Sequence, residues 1–488
     1  MKQSLASFLS KFTVLKTAVR EFWVILGAKL LTILAYQVMN LTLVLWLSSD
    51  LGFSDQRASS AVAVWSGLMT LFTILVGSLV DAIGLRKALL LGIGLCFVSR
   101  GMMTLATQPW LALGCGLLPL ALGEALLTPV MVAAIRRYTT TAQRSIAFAI
   151  FYAMMNAGFG IAAFIFDFLR GTLGEHGQFF LPVFNFQLTT YQILFLVSFL
   201  LTLPNLALIY FALRDGVEAT DEGVRISPGH PIRSGENLGR TLLLQLQDAM
   251  RNTVRIFSGL WRQPAFYKFL AFLSLVVAVR LIFYHMYYTY PKFGIRELGA
   301  GAPIGHLWAV NSIAILILAP LVGALTQKIS AYKMVVIGSF ISASSVFLMA
   351  MPPAWFQPLA DGPLGSWIGH DWLGLKGVVH PYYVMILIYV LLLSLGEALW
   401  SPRLYEYTAA IAPKGQEASY MSLSFLPYFV AKFFVGMSSG FLLAHYCPET
   451  GPRDSQTLWL IIASTTMITP LGLLIFRRYI RVHEAGRP

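Results

Sequence analysis

Charge is what this sequence has least of. Only 12% of its 488 residues are Asp, Glu, Lys or Arg, against about 25% in a soluble domain. With 57% hydrophobic residues and a mean hydropathy of +0.70, that scarcity excludes a large water-soluble core and points to a polytopic membrane protein. Acids are scarcer than bases, 22 against 35, for a net charge of +13. In a soluble chain that surplus would suggest nucleic acid. The three cysteines, Cys96, Cys115 and Cys447, have neither metal-site nor disulfide spacing. Nucleophile elbow and histidine cluster are missing too, so neither an enzyme nor a cofactor is expected. The polar, basic start lacks a short signal-peptide core, and Leu26–Leu47 reads as a retained span.

What is there is apolar runs. A span needs about 20 such residues, and twelve segments qualify: 22–47, 59–80, 88–106, 111–135, 145–169, 189–213, 266–290, 304–326, 333–351, 381–411, 418–444 and 456–476. The sixth and seventh are separated by the polar stretch Arg214–Pro264, within which Leu242–Leu260 has amphipathic helical spacing. The expectation is an all-α membrane protein of twelve transmembrane helices in two six-helix bundles, 1–213 and 266–488, joined by a cytoplasmic linker, 214–265. If both tails, the linker and the loops after spans 2, 4, 8 and 10 face the cytoplasm, they hold 22 of the 35 Lys and Arg. The opposite loops hold six. This is the positive-inside pattern, so the positive charge is mainly topological and a nucleic-acid partner is not expected. A bacterial inner membrane with both termini inside, and a monomer, are the expectations.

One string occurs twice. Gly123-Glu124-Ala-Leu-Leu-Thr128-Pro129 returns as Gly396-Glu397-Ala-Leu-Trp400-Ser401-Pro402. Each copy puts a carboxylate inside an apolar run, where it needs a partner or a cavity. Matching positions in two halves suggest a repeated unit, as in transporters. Other ionisable groups fall within spans: Lys29, Arg100, Arg280, His285, Arg403 and Lys432. Arg280 lies mid-span, and His285 is a titratable group suited to proton exchange. Asp167 and Arg170, at the end of span 5, are candidates for a gate, with a solvated ion pair as the alternative. Arg100 is a candidate structural partner of Glu124, and Arg403 can pair with Glu406 three residues on.

The loop Gly77-Ser-Leu-Val-Asp81-Ala-Ile-Gly84-Leu-Arg86-Lys87 resembles the signature loop of the major facilitator superfamily, with Asp81, Arg86 and Lys87 as a charged latch. A degraded counterpart, Gly323-Ala-Leu-Thr-Gln327-Lys328, follows span 8. Phe151-Tyr152-Ala-Met-Met-Asn156-Ala-Gly158, the Glu397 string, and Asn311 with Ala319-Pro320 are similar to motifs of the proton-dependent oligopeptide transporters. That resemblance implies a secondary transporter working by alternating access, with a peptide's amino group at Glu397 and its termini or backbone at Asn156 and Asn311. Lys29 and Arg280 are the cations for its carboxylate. Tyr36, Tyr152 and Trp400 are candidate aromatic walls. Glu124, Glu397, Lys29 and His285 are candidates for proton coupling or salt bridging.

The chain departs from the family in span 1. The positions matching that family's Glu-x-x-Glu-Arg are Lys29, Thr32 and Ile33, and its span-4 lysine is Thr128. Other solutes therefore stay open: a muropeptide, an amino-acid-derived metal chelator or an organic anion, moved with protons or by facilitated diffusion. A non-transporting receptor or scaffold is the reading from another class.

Overall fold

The computed structural model describes residues 12–181, 186–226, 264–326, 329–411 and 426–480, and single positions between 227 and 263. The amphipathic stretch Leu242–Leu260 lies outside the described residues. The helices are α1 Arg20–Ser49, α2 Asp55–Ile83, α3 Leu85–Leu105, α4 Pro109–Arg137, α5 Thr141–Leu173 and α6 Thr190–Ala212. After the linker come α7 Pro264–Tyr288, α8 Ile304–Leu325, α9 Ala331–Ala350, α10 Pro381–Ile411, α11 Leu426–Tyr446 and α12 Ser455–Ile475. Among the described residues eleven helices are long and apolar enough to cross a membrane. The 29-residue α2 occupies the place of the second expected span. The chain is thus all-α, as expected, apart from two short antiparallel hairpins. These are β1 Gln178–Leu181 with β2 Phe186–Thr189, and β3 Val217–Thr220 with β4 Gly223–Ile226.

Several spans are not single rods. The seventh apolar run ends at Tyr288, and a separate helix, Tyr290–Leu298, begins with Pro291 in its first turn. Proline fits a first turn because its missing N–H is unneeded there. The last span bends at Met467, just before Pro470, and α4 carries a π-helical turn at Ala112–Leu117. Between α9 and α10 lie four short helical pieces that a hydropathy reading passes over.

Contacts divide the described chain into two compact units. One comprises residues 1–39, 68–162 and 192–255; the other comprises 40–67, 163–191 and 256–488. In the first, the glycine of the repeated string lets α4 approach α3. A Cβ on Gly123 would stand 2.9 Å from the Gly92 carbonyl oxygen and 2.8 Å from Cys96 Sγ. In the second unit, a Cβ on Gly396 would stand 2.7 Å from the Gly338 carbonyl oxygen and 2.3 Å from Ser342 Oγ. Each half therefore places the repeat glycine on a glycine of the preceding helix, as small residues do where membrane helices touch backbone to backbone.

Gly123→Val and Gly396→Val are expected to lower stability by about 1–3 kcal/mol each through overpacking. The measurement is thermal unfolding of the detergent-solubilised protein. Unchanged melting of both variants would contradict the close approach.

Candidate functional site

In the first unit two buried cations, Arg100 and Lys29, gather around one carboxylate, Glu124. Arg100 on α3 reaches Glu124 on α4 with Nη2 2.5 Å from Oε1, and its Nη1 donates to Thr202 Oγ1 on α6 at 2.7 Å. Cys96 Sγ lies 3.6 Å from the same Glu124 oxygen. Side-chain exposure is 1% for Arg100 and 5% for Glu124, so this ion pair is closed to water. Lys29 on α1 is also buried, its ammonium 4.8 Å from the centre of the Phe151 ring on α5 and within electrostatic reach of Glu124. Gly158 of the span-5 motif admits α1, since a Cβ there would be 2.7 Å from Ile33. Asn156 turns back on its own helix and donates to the Tyr152 carbonyl oxygen at 3.0 Å. The Tyr152 side chain is exposed, and Tyr36 is half-buried.

In the second unit the same string is differently partnered. Glu397 on α10 is half-buried, and Asn311 Nδ2 on α8 donates to its Oε2 at 3.0 Å and to Ser394 Oγ at 3.0 Å. Arg280 on α7 is half-buried and within electrostatic reach of Glu397. Its guanidinium stands 5.1 Å from the Trp400 ring and 5.4 Å from the Tyr428 ring. The structure thus brings Asn311, Glu397 and Arg280 together. Trp400 is fully buried and donates Nε1–H to Ser342 Oγ at 3.1 Å, so it packs α10 on α9. His285 is buried; its Nδ1 lies 2.9 Å from Thr289 Oγ1 and 3.1 Å from Ser439 Oγ, both hydroxyls. Lys432 donates to the Ser66 carbonyl oxygen at 3.1 Å, and Arg403 to Thr326 at 3.0 Å.

Of the expected latch after span 2, the Asp81 side chain lies outside the described residues. Arg86 donates to the Tyr210 carbonyl oxygen at 2.7 Å, in the last turn of α6, and Lys87 is exposed.

A further set of charges gathers at the helix ends remote from the linker, all within the second unit. Arg296 makes two bonds to Asp55, at 2.8 and 2.9 Å, and Lys292 bonds the same carboxylate and Ser48. Burial works against the charged form of Lys292 and, outweighing Asp55, lowers its ammonium from the usual range. Asp167 and Arg170 are 3.4 Å apart, and Arg170 also binds Glu175 at 2.7 Å. His306 Nδ1 lies 2.6 Å from Asp167 Oδ2. A cavity of about 560 Å³ lies alongside, its walls including Ser48, Asp55, Glu175, Tyr191, Lys292 and Arg296. Asp167 and Arg170 were legible as a pair. Asp55, Glu175, Lys292, Arg296 and His306 were not, because they stand at span ends, where a charge normally means a solvated loop. Five ionisable groups within a few residues of the ends of apolar runs was the only available signal.

Removing Arg100 leaves Glu124 buried with the Lys29 ammonium in electrostatic reach. Arg100→Met is expected to cost about 3–5 kcal/mol, while Arg100→Met with Glu124→Leu and Lys29→Met, which removes all three charges, recovers most of it. Thermal unfolding of the single and triple variants measures this, and a triple variant less stable than Arg100→Met would contradict the structural pairing.

The model of the family described as Major Facilitator Superfamily matches residues 25–369. Among solved structures, a POT family transporter in complex with 5-aminolevulinic acid superimposes with a TM-score of 0.68 at 16% identity, covering 95% of this chain and 97% of that one. A POT peptide transporter in complex with sulfate gives 0.67 at 17% identity over 94% and 95%. A POT family transporter in complex with a thioalcohol-conjugated peptide gives 0.67 at 16% over 95% and 97%. Compared by sequence with curated proteins, the chain matches none. The architecture is that of POT transporters, and the chain is a transporter rather than an enzyme. By its sequence it belongs to the Major Facilitator Superfamily.

Proposed function

We propose that this transporter moves a small peptide or peptide-like zwitterion by alternating access, with Glu397 as the counter-ion for the substrate ammonium. One observation carries the reading: the two repeat carboxylates differ in what they touch. Glu124 is saturated by Arg100 in a sealed site, whereas half-buried Glu397 is held by an amide that carries no charge. A carboxylate oriented by a neutral donor keeps its charge for an incoming cation. Arg280, close to Glu397 and half-buried, is the cation for the substrate carboxylate, with Lys29 as the candidate from the first half. Asn156 and Asn311 supply amides, and Tyr36 and Tyr152 the aromatic walls. POT neighbours hold 5-aminolevulinic acid and a peptide conjugate, which carry groups of this kind.

We further propose that the cycle is proton-coupled, that Asp167 and Arg170 belong to a gate at the end remote from the linker, and that Arg86 and Lys87 belong to a latch at the other. The two bundles, 1–213 and 266–488, rock about the solute, and the tails and linker face the cytoplasm of a bacterial inner membrane. A ligand drives such a motion only through contacts that differ between the states. Charges contributed by both halves of the chain supply them.

The test is uptake of di- and tripeptides into proteoliposomes, with and without an imposed pH gradient. Glu397→Gln and Arg280→Gln are each expected to cut uptake at least tenfold, and an acid-outside gradient to accelerate the wild type. Uptake lost in Arg280→Gln but kept in Glu397→Gln would mean an anionic solute. Indifference to the gradient would mean facilitated diffusion.

A further inference from the structure

The segment between α9 and α10, residues 352–380, plays no part in the sites described so far. It begins two residues past the end of α9 and stops just before Pro381, the first residue of α10. Its four short helical pieces are Pro353–Phe356, Gln357–Ala360, Pro363–Ser366 and Trp367–Trp372. The first three each carry a proline in the first turn, where the missing N–H is unneeded. The pieces are firmly seated. Gly365 brings the third against the second, since a Cβ there would stand 1.9 Å from the Ala360 carbonyl oxygen. Gly369 admits the returning chain, its Cβ position being 2.3 Å from Val379. Leu375 N–H donates to the Gly369 carbonyl oxygen at 2.7 Å, and His370 Nε2 lies 2.8 Å from the Gly377 carbonyl oxygen. All four pieces pack on α10, with Ala360, Ile368 and Val379 buried.

What this seated segment turns outward is largely apolar. Trp355 is 68% exposed, Trp367 53%, Leu359 43% and Leu364 38%. Trp355 and Leu359 are four residues apart in adjoining helical turns, and Leu364 and Trp367 are three apart. Those spacings put the two members of each pair side by side. Trp367 stacks with Trp372, ring centroids 6.2 Å apart, so its outward position is packed. The polar groups largely answer one another: Gln357 Nε2 donates to Asp361 Oδ1 at 2.8 Å, and Ser366 Oγ lies 3.3 Å from His370 Nδ1. Of the 29 residues only Asp361, Asp371 and Lys376 are Asp, Glu, Lys or Arg, far fewer than the roughly 25% of a soluble domain. A contiguous apolar surface of this kind marks an interaction site. The chemistry of the partner follows from place and charge. Both ends of the segment continue directly into apolar spans, so it stays beside the bilayer surface, where tryptophan is favoured. Two aspartates against one lysine leave no cationic surplus for anionic lipid, so the attraction is apolar.

We propose that residues 352–380 form an interfacial anchor, which lays the Trp355–Leu359 and Leu364–Trp367 pairs into the headgroup region of the leaflet remote from the linker. Its partner is a lipid surface, bound through apolar area and indole rings with no requirement for anionic lipid. The anchor sets the depth at which α9 and α10 end in the bilayer. It is independent of the solute and of the function proposed above.

The experiment attaches nitroxides singly at Leu359→Cys and Leu364→Cys, which keep both tryptophans, and at Ser366→Cys and Asp371→Cys as exposed polar controls. Cys115→Ser removes the exposed native thiol. In phosphatidylcholine liposomes, depth is read from collisions with oxygen, which dissolves in lipid, and with a nickel chelate held in the water on both sides. The labels at 359 and 364 are expected about 5–10 Å inside the headgroup boundary, and those at 366 and 371 in water. Adding phosphatidylglycerol is expected to leave these depths unchanged. Equal nickel access at all four positions overturns the proposal. So does shielding of 359 and 364 from both reagents, the mark of a protein partner or a second copy, and so does a depth reached only with phosphatidylglycerol. Should the variants fail to fold, the wild type is labelled with a diazirine dissolved in the bilayer. Carbene adducts within residues 353–372 are expected, and their absence overturns the proposal. Neither measurement involves a solute, so loss of peptide uptake with an intact anchor would sink the transport reading alone.

Discussion

An ionised side chain in an apolar bundle must find its counter-charge within a few ångströms, because the surroundings offer neither water nor salt to screen it. With so few charges in the sequence, the buried ones constrain the helices around them. Arg100 fixes α3 against both α4 and α6, through Glu124 and Thr202. Arg170 fixes the end of α5 to its following loop and to the Gly299–His306 segment. Lys292 and Arg296 tie the short helix after α7 to the start of α2. These contacts are individually short-range, yet together they determine which helix ends meet.

The repeated string acquires two separable explanations under that constraint. Its glycine serves packing in both halves, since Gly123 faces Gly92 and Gly396 faces Gly338 at nearly equal separations. Its glutamate does not serve the same purpose twice. Glu124 lies against a guanidinium in a closed site, while Glu397 lies against an amide and is only half-buried. Duplicated architecture and divergent chemistry are thus written into adjacent residues. The partners come from non-equivalent helices, Arg100 from the helix just before its carboxylate and Asn311 from two helices before, so the difference lies in which neighbour reaches the glutamate.

Much of the fold was legible in the sequence because span length and hydrophobicity are set by the bilayer and need no knowledge of neighbours. The positions of the helices follow the apolar runs closely. What periodicity could not give were the interruptions, at Thr289, at Met467 and in the π-helical turn of α4, where proline and glycine act only in combination with packing. The site was partly legible. Asn311, Glu397 and Arg280 were expected to act together and lie together. Trp400, expected as a cavity wall, is instead a packing residue hydrogen-bonded to Ser342, since its orientation depends on α9 rather than on its own helix.

Histidine shows why the remainder was not legible. His285 and His306 both lie in or beside apolar runs, and sequence position favours the deeper one as a proton carrier. The structure sets two hydroxyls, of Thr289 and Ser439, against the His285 ring. It sets His306 beside a carboxylate belonging to a cluster already short of positive charge. What the His306 ring faces is a carboxylate 139 positions away in the chain. No local pattern encodes it; it exists only once Gly305 has let the start of α8 come down on the end of α5.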